Sequence, residues 1–158
     1  MVIYATACHI INGKRVLLIK KSPELFGGGK WSVLGGKMRP EESPEQTCLR
    51  EVFEESGLLV NGLKYHGVLE FWFGTEGEPD WVVHAFSTSS FQGQLTESAE
   101  GILQWTGVDE IPYTEMWADN KHWFPLLFEG KAFHGRFWFN REGTQLLDNK
   151  IEVTKETS

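Results

Sequence analysis

The chain has 158 residues, a formal net charge of −7 at pH 7, seven tryptophans and eleven phenylalanines. This length favours one domain with a proper hydrophobic core, so we expect residues 1–158 to form a single domain. The negative net charge argues against a general affinity for nucleic-acid backbones. The sequence also lacks the stripe of basic residues that would indicate an RNA-binding surface.

Apolar and alternating segments predict strands on both sides of a well-marked helix. Asn12-Gly13 is a hairpin-turn signal between the first two strands. The predicted strands cover residues 4–11, 15–20, 30–34, 65–73, 81–87, 102–108, 136–140 and 144–148. One helix follows Ser43, and a second is predicted over residues 119–129, where Pro125 should kink or split it. The order predicts an α+β or α/β/α layered domain whose polar end, residues 154–158, is frayed.

The cysteines and the N-terminus bear on the compartment. Cys8 and Cys48 lie far apart in the sequence, so we expect two buried free thiols, as in a reducing compartment, rather than a disulfide or a metal pair. Residues 1–10 are apolar but lack a basic segment and are too short to span a membrane. We therefore expect a cytoplasmic protein with no membrane partner.

The first helix has clear start and stop signals. Ser43 is a good N-cap, and Gln46 completes a capping box with it. Pro44 suits the first helical turn. Gly57 stands where a left-handed residue would end the helix.

Apolar and acidic residues occupy different sides of this helix. At about 100° per residue, the apolar arc consists of Cys48, Leu49, Val52 and Phe53. The other arc holds Glu51, Glu54 and Glu55, whose carboxylates can converge because they lie three and four positions apart. Arg50 lies four positions before Glu54 and can orient its carboxylate. Gathered carboxylates repel one another unless a cation lies among them, so this arc indicates Mg²⁺, with a solvated helix face as the alternative.

The segment around this helix resembles a known motif. Its fixed positions follow the pattern G-x5-E-x7-R-E-U-x-E-E-x-G-U, in which U is an apolar residue. The matching residues are Gly36, Glu42, Arg50, Glu51, Val52, Glu54, Glu55, Gly57 and Leu58. This pattern is the Nudix box, and the chain resembles the Nudix hydrolases, which cleave a nucleoside diphosphate linked to another group using Mg²⁺ or Mn²⁺. The resemblance implies a Nudix fold, with a mixed β-sheet between two helices, and a small nucleotide substrate.

Within the box we predict the ligands of the metal ion. Glu51 and Glu55 are expected to bind Mg²⁺, with Glu54 close by and the Gly36 carbonyl as a further ligand. The ion would lower the pKa of an attacking water, and one carboxylate would accept its proton. The sequence leaves open which carboxylate does so.

Charged residues outside the box complete the predicted catalytic and phosphate-binding set. The resemblance to the MutT-like branch implies that a loop glutamate completes the metal site. Glu100 is the candidate, Glu97 is its rival, and a solvated loop residue is the alternative. Positive charge is concentrated near the glycines at 27–29 by Lys20, Lys21, Lys30, Lys37 and Arg39. We expect part of this set, Lys37 above all and also Lys21, to contact the phosphates.

A wider resemblance concerns the base. Residues 26–31, 34–37, 115–117, 123–127 and 133–135 resemble the mammalian MutT-like branch of the family, which hydrolyses oxidised purine nucleoside triphosphates. The resemblance implies cleavage of 8-oxo-dGTP or a similar altered purine nucleotide to the monophosphate and pyrophosphate. Trp117 precedes a helix, where its indole can stack on a base for about 1–3 kcal/mol. Simple core packing is the alternative for Trp117.

Other residues are expected to line the base pocket. Phe71 and Phe73 share one face of a strand and could form its wall or pack in the core. Asp119 and Asn120 are expected to bind a purine edge, although Asp119 is also a plausible helix N-cap. Two residues depart from the branch, because Ser32 stands where it has Asn and Asn120 where it has Asp. Ser32 lacks a bidentate amide edge, so we expect altered affinity for 8-oxoguanine.

Three other functions fit parts of the pattern. The first is another Nudix reaction, on ADP-ribose, a dinucleoside polyphosphate, a nucleotide sugar or an mRNA cap. The second is a silent nucleotide-binding module, which would not need the complete glutamate set. The third is a calcium-binding module, although its acids would lie in a twelve-residue loop rather than on a helix. We expect the protein to be a monomer.

Overall fold

The computed structural model describes residues 1–26 and 28–156, so Gly27 of the predicted glycine cluster lies outside the described residues. The helices are α1 (Pro44–Ser56) and α2 (Asn120–Phe128), and a 3₁₀ turn at Tyr113–Glu115 precedes α2. The strands are β1 (Ile3–Asn12), β2 (Arg15–Lys21), β3 (Trp31–Ser32), β4 (Leu59–Asn61), β5 (Lys64–Phe73), β6 (Trp81–Thr88), β7 (Ser90–Gln92), β8 (Gly101–Gly107), β9 (Lys131–Phe139) and β10 (Leu146–Glu156).

One mixed sheet organises most of these strands. Its order is β10-β9-β5-β6-β1-β2-β3, and β8 pairs with the other side of β2. β1 is parallel to β6 and β5 is parallel to β9, whereas the remaining pairs are antiparallel. β4 and β7 form a separate two-stranded ribbon. The predicted α+β class with a mixed sheet is confirmed.

Strand β1 shows why helices cover both faces of the sheet. Successive side chains of a strand point to opposite faces. Cys8 and Ile10 pack in one cluster with Val52 of α1. His9, between them, contacts Trp123 of α2 on the other face. The sheet therefore lies between two helices, as the layered α/β/α prediction requires.

Several element boundaries differ from the predictions. α2 runs through Pro125 without a split, because its buried side chains hold the helix against the sheet. β9 begins at Lys131, five residues before the predicted start at 136. β10 pairs with β9 as far as Glu156, so the prediction of a frayed end is wrong for residues 154–156. Residues 157–158 lie outside the described range.

The buried face of α1 differs from the predicted apolar arc. Cys48 and Val52 are buried as predicted, whereas Leu49 and Phe53 are 43% and 53% exposed. The helix instead buries Glu55 completely. Apolar spacing could not predict this face, because a carboxylate enters the interior only where other parts of the fold supply hydrogen bonds and charge.

The two cysteines and the lengths of the helices bear on the expectations about disulfides and membrane spans. Cys8 and Cys48 are free and buried, as predicted. A hydrogen bond with the Cys48 thiol, together with burial, raises the pKa of Cys8. In the part of the chain that the structure describes, no helix is both long and apolar enough to cross a membrane.

His9 is a polar ring inside an aromatic cluster. It is completely buried, and its centroid lies 5.3 Å from that of Trp123 and 4.7 Å from that of Phe124, both in edge-to-face arrangements. Neither ring nitrogen makes a hydrogen bond of good geometry. Burial lowers the pKa of His9 from 6.5 to about 3. As pH falls from 6.5 to about 3, the unfolded chain binds a proton at His9 that the folded chain does not bind. The folded state therefore becomes less stable over this pH range.

Replacing His9 with leucine is expected to stabilise the protein. His9→Leu removes buried polar atoms, whose lack of partners costs about 1–3 kcal/mol. The melting temperature should rise by a few degrees at pH 7, at about 2–4 °C per kcal/mol. The gain should grow as pH falls towards 4, because the variant lacks the proton uptake of the unfolded His9. Thermal unfolding across this pH range, with His122→Gln as the control, measures it. A lower melting temperature for His9→Leu at pH 5 would contradict this account.

Candidate active site

The ends of α1 fix the direction in which its glutamates point. The Ser43 Oγ accepts a hydrogen bond from the Gln46 N–H at 3.1 Å, and the Gln46 Oε1 accepts one from the Ser43 N–H at 2.9 Å. At the other end, Gly57 adopts a left-handed conformation with φ 77° and donates its N–H to the Phe53 carbonyl. The predicted capping box and glycine stop are confirmed, and they determine where the helix begins and ends.

Three carboxylates from two parts of the chain converge beside α1. Glu51, Glu55 and Glu100 each place one oxygen within 4.8 Å of the others. Burial is the main cause that raises the pKa of both helix glutamates, that of Glu55 to about 8. The oxygen ligands of such a group suit a hard divalent cation such as Mg²⁺, which would offset their repulsion. The residues present therefore fit the metal that the sequence pattern implies.

Glu55 is held in place by two hydrogen bonds. Its Oε1 accepts the Gly35 N–H at 2.9 Å, and its Oε2 accepts from the Lys21 Nζ at 2.9 Å. The Lys21 charge favours the ionised carboxylate, but burial outweighs it, so the pKa of Glu55 is raised. Lys21, predicted to bind phosphate, thus contacts a carboxylate of the candidate metal group.

Gly36 leaves room for the carboxylate of Glu51. A Cβ atom at Gly36 would lie 2.3 Å from the Glu51 Oε1, so any side chain would push this carboxylate away. The Gly36 carbonyl accepts the Thr6 N–H at 2.9 Å, which uses one of its two lone-pair directions. Its predicted role as a metal ligand stays a prediction.

Arg50 ties the box loop to the helix. Its guanidinium donates to both oxygens of Glu42, at 2.6 and 2.9 Å, and to the Lys37 carbonyl at 3.1 Å. It also donates to Glu54 at 3.0 Å, as its spacing predicted. The hydrogen bond from Arg50, followed by that from the Arg39 N–H, lowers the pKa of Glu42 to about 2. Arg50 is therefore placed to orient neighbouring groups.

Two glutamates that the sequence put near the metal lie outside the three-carboxylate group. Glu54 is partly exposed and pairs with Arg50 and Arg39. Glu97, the rival of Glu100, accepts the Leu103 N–H at 3.0 Å with its Oε2. The structure thus brings Glu100, rather than Glu97, to the box glutamates.

A cavity of about 430 Å³ joins the carboxylates of Glu51 and Glu100 to aromatic side chains. The predicted residues that line it are Lys21, Lys30, Ser32, Gly36, Lys37, Glu51, Phe71, Phe73, Glu100, Trp117, Asp119 and Asn120. Arg50, Glu54 and Glu55 are not among the lining residues. One cavity therefore contains most of the predicted groups for both phosphate chemistry and base binding.

Aromatic residues form the walls of this cavity. Phe71 and Phe73 point to the same face of β5 and stack on Phe137 and Phe139, respectively. Both phenylalanines also pack against the core, so core packing and pocket lining are not exclusive for them. Ser32 turns its Oγ to donate to the Val33 carbonyl at 3.0 Å.

Asp119 and Asn120 lie at the start of α2 and are both buried. Asp119 occupies the N-cap position, yet its side chain makes no capping hydrogen bond. Its Oδ2 accepts the indole N–H of Trp123 at 2.8 Å instead. Burial raises the pKa of Asp119 from 3.8 to about 6. This carboxyl can therefore change its protonation state near neutral pH while it faces the cavity.

The comparisons with known proteins agree with this geometry. Residues 2–127 match the family model described as the NUDIX domain. The chain belongs to the Nudix family. It is 41% identical over 149 residues to the oxidized purine nucleoside triphosphate hydrolase of Mus musculus, covering 94% of each chain. It is 38% identical over 152 residues to the protein of the same name from Danio rerio, covering 96% of this chain and 95% of the relative.

A solved Nudix-type structure shares almost the whole fold. The MutT protein of Bacillus halodurans superimposes with a TM-score of 0.83 at 28% sequence identity. The match covers 95% of this chain and 97% of that protein. The strands after residue 127, beyond the family match, are thus part of the shared architecture.

Sequence reasoning missed several residues that line the cavity of this Nudix chain. Trp81 and Phe26 stack on each other at 5.3 Å between centroids. Thr6 is buried, lines the cavity, and its Oγ1 has no hydrogen-bond partner. Trp81 pairs across the sheet with Phe71, so the register of β5 and β6 was the signal that could have identified it.

The pKa of Asp119 predicts a stability effect in this Nudix site. Because folding raises the pKa of Asp119, ionisation of this carboxyl opposes folding. The folded state therefore loses stability as pH rises from about 4 to about 6, and it does not regain this stability at higher pH. A shift from 3.8 to about 6 corresponds to ~3 kcal/mol. Asp119→Asn should therefore raise the melting temperature at pH 8 but not at pH 4.

The test compares melting temperatures of Asp119→Asn and the exposed control Asp109→Asn at both pH values. The asparagine amide oxygen can still accept the Trp123 indole N–H, so packing is kept. Equal or lower stability of Asp119→Asn at pH 8 would show that neighbouring groups compensate the buried charge.

Proposed function

We propose that this protein is a Mg²⁺-dependent nucleoside triphosphate pyrophosphohydrolase. Its substrates would be 8-oxo-dGTP or related altered purine nucleoside triphosphates, which it would hydrolyse to the monophosphate and pyrophosphate. The observation that carries the proposal is that Glu51 and Glu100 of the carboxylate group line one cavity with the aromatic walls, Asp119 and Asn120. The relatives named as oxidized purine nucleoside triphosphate hydrolases support this substrate class. Such an enzyme removes damaged nucleotides from the pool.

The phosphate end of the site has a division of roles. Glu51, Glu55 and Glu100 would hold Mg²⁺, which when bound polarises phosphoryl oxygens and lowers the pKa of a coordinated water. Lys37 lines the cavity and supplies positive charge for the phosphates. Arg50 keeps the box loop and the helix in fixed relation, so that the glutamates need not reorganise during the reaction.

The base end would recognise a flat ring with polar edges. Trp117 would stack on the base, as aromatic side chains do in other nucleotide sites. Asn120 offers a donor and an acceptor at every pH, whereas Asp119 accepts when ionised and can donate when protonated. Ser32 presents a hydroxyl where the related branch has an amide, so we propose that preference among altered purines differs from that branch.

We also propose that the whole 158-residue chain is one Nudix domain that works as a monomer in the cytoplasm. Two buried free thiols suit a reducing compartment.

A substrate panel tests the proposal. Pyrophosphate release should be fastest from one or more of 8-oxo-dGTP, 2-hydroxy-dATP and O6-methyl-dGTP, with dGTP as the unmodified reference. ADP-ribose and a dinucleoside polyphosphate represent other Nudix chemistry. If all four purine triphosphates are poor substrates while either of these is turned over rapidly, the substrate assignment is wrong. Binding of nucleotides without any metal-dependent product would indicate a silent module.

A further inference from the structure

Three aromatic rings form a stack at the wall of the cavity. The ring of Phe26 lies 5.3 Å from that of Trp81 and 5.5 Å from that of Trp117, measured between centroids. The interplanar angles are only 15° and 22°, so Phe26 covers one face of each indole. All three residues line the cavity. Despite these contacts, Phe26 is 64% exposed.

The other aromatic neighbours of Trp117 meet it differently. Phe73 and Phe139 approach its ring at 73° and 88°, as edge-to-face contacts. A flat base needs a free face of an indole to stack on. Phe26 thus lies flat on the Trp117 indole, the side chain on which the proposed function stacks the base.

We propose that Phe26 is an intramolecular competitor for the nucleotide base. A purine would bind by displacing the phenyl ring from Trp117 and Trp81, and would then stack on the surface that Phe26 had covered. This inference rests on the proposed function, because it concerns how the same site admits its base. The binding-competent state is the fraction of molecules in which Phe26 has left the indoles, and the apparent Kd rises as this fraction falls.

The exchange favours bicyclic bases. A purine has two fused rings and replaces a single phenyl ring, so it gains stacking area when Phe26 leaves. A pyrimidine has one ring and gains little over the ring that it displaces. The preference for purines therefore comes from the area of the indole surface, whereas Phe26 raises the apparent Kd of every base by the same factor. Because Phe26 is already 64% exposed, displacing it uncovers little further surface of Phe26 itself, and the incoming base covers the indole faces that it leaves.

Calorimetric titration with 8-oxo-dGMP and dCMP tests this role. Phe26→Ala should lower the Kd for 8-oxo-dGMP by more than about twofold, because the stacked position of Phe26 is the one that the structure shows and so blocks most molecules. It should lower the Kd for dCMP by the same factor, because the fraction of molecules freed from Phe26 does not depend on the base. Phe26→Trp adds stacking area and should raise both Kd values. Phe53→Ala deletes a comparably exposed phenyl ring outside the cavity and should change neither.

Trp81 gives an independent test of the stack. Trp81→Ala should raise the Kd for 8-oxo-dGMP in the Phe26→Ala background, because the base then loses one of the two indoles it contacts. Weaker binding of 8-oxo-dGMP by Phe26→Ala, or an unchanged Kd, would overturn the inference and make Phe26 a fixed wall. Those results leave the proposed function intact if the wild-type enzyme hydrolyses altered purine triphosphates. Failure of the wild type on every purine triphosphate would instead overturn both.

Discussion

Glu55→Gln is expected to lower turnover by about 10²–10³-fold, the range associated with the loss of one preorganised electrostatic group from an active site. Glu55 combines three properties at one carboxylate. It belongs to the group formed with Glu51 and Glu100, it is completely buried, and the Gly35 N–H and Lys21 fix both of its oxygens. A glutamine amide keeps an acceptor for Gly35 but loses the negative charge that attracts a divalent cation.

The rate of pyrophosphate release at saturating nucleotide and Mg²⁺ measures this effect. Glu45→Gln is the matched control, because Glu45 is exposed in the first turn of the same helix. The melting temperature of each variant separates lost chemistry from lost folding. Excess chelator should abolish the activity of the wild type. Near-normal turnover of Glu55→Gln, or full wild-type activity in chelator, would mean that the metal centre lies elsewhere.

Trp117→Ala is expected to lower kcat/KM for an altered purine triphosphate by roughly 10–100-fold. Stacking of a base on an aromatic side chain contributes about 1–3 kcal/mol, and 1.4 kcal/mol corresponds to a factor of ten. The loss should fall mainly on KM, because a base remote from the reacting phosphate is bound similarly in the ground and transition states. Trp117→Phe keeps a flat ring and should show an intermediate loss.

A control must separate stacking from packing, since Trp117 also contacts Phe73 and Phe139. Trp138→Ala removes an indole that stacks on Trp72, outside the residues that line the cavity. It should alter stability without a specific change in KM. A KM for Trp117→Ala within twofold of the wild type would remove Trp117 from the base site.

Local rules predicted the parts of the site that lie close together in the sequence. Ser43, Gln46 and Gly57 act within one helix, so their hydrogen bonds follow from spacing and backbone conformation alone. The approach of Arg50 to Glu54 has the same origin, because residues four positions apart are neighbours on a helix.

Contacts between distant segments could not be predicted in this way. The apolar arc of α1 was predicted to include Leu49 and Phe53, yet the fold leaves both partly exposed and buries Glu55. That burial depends on Gly35 and Lys21, which reach Glu55 across 20 and 34 positions of the chain. The stack of Phe26 on Trp81 likewise joins a loop to a strand 55 positions away in the sequence.

The sequence by itself determined the family, the layered fold class and the helix that carries the glutamates, because these depend on fixed spacings and on periodic burial. Only the tertiary structure decided that Glu100 rather than Glu97 joins Glu51 and Glu55, and that Phe26 covers the indoles. Spacing along the chain specifies which residues share a helix face or a strand face. It does not specify which loops meet that face, since loop positions are set by the packing of the whole sheet between its helices.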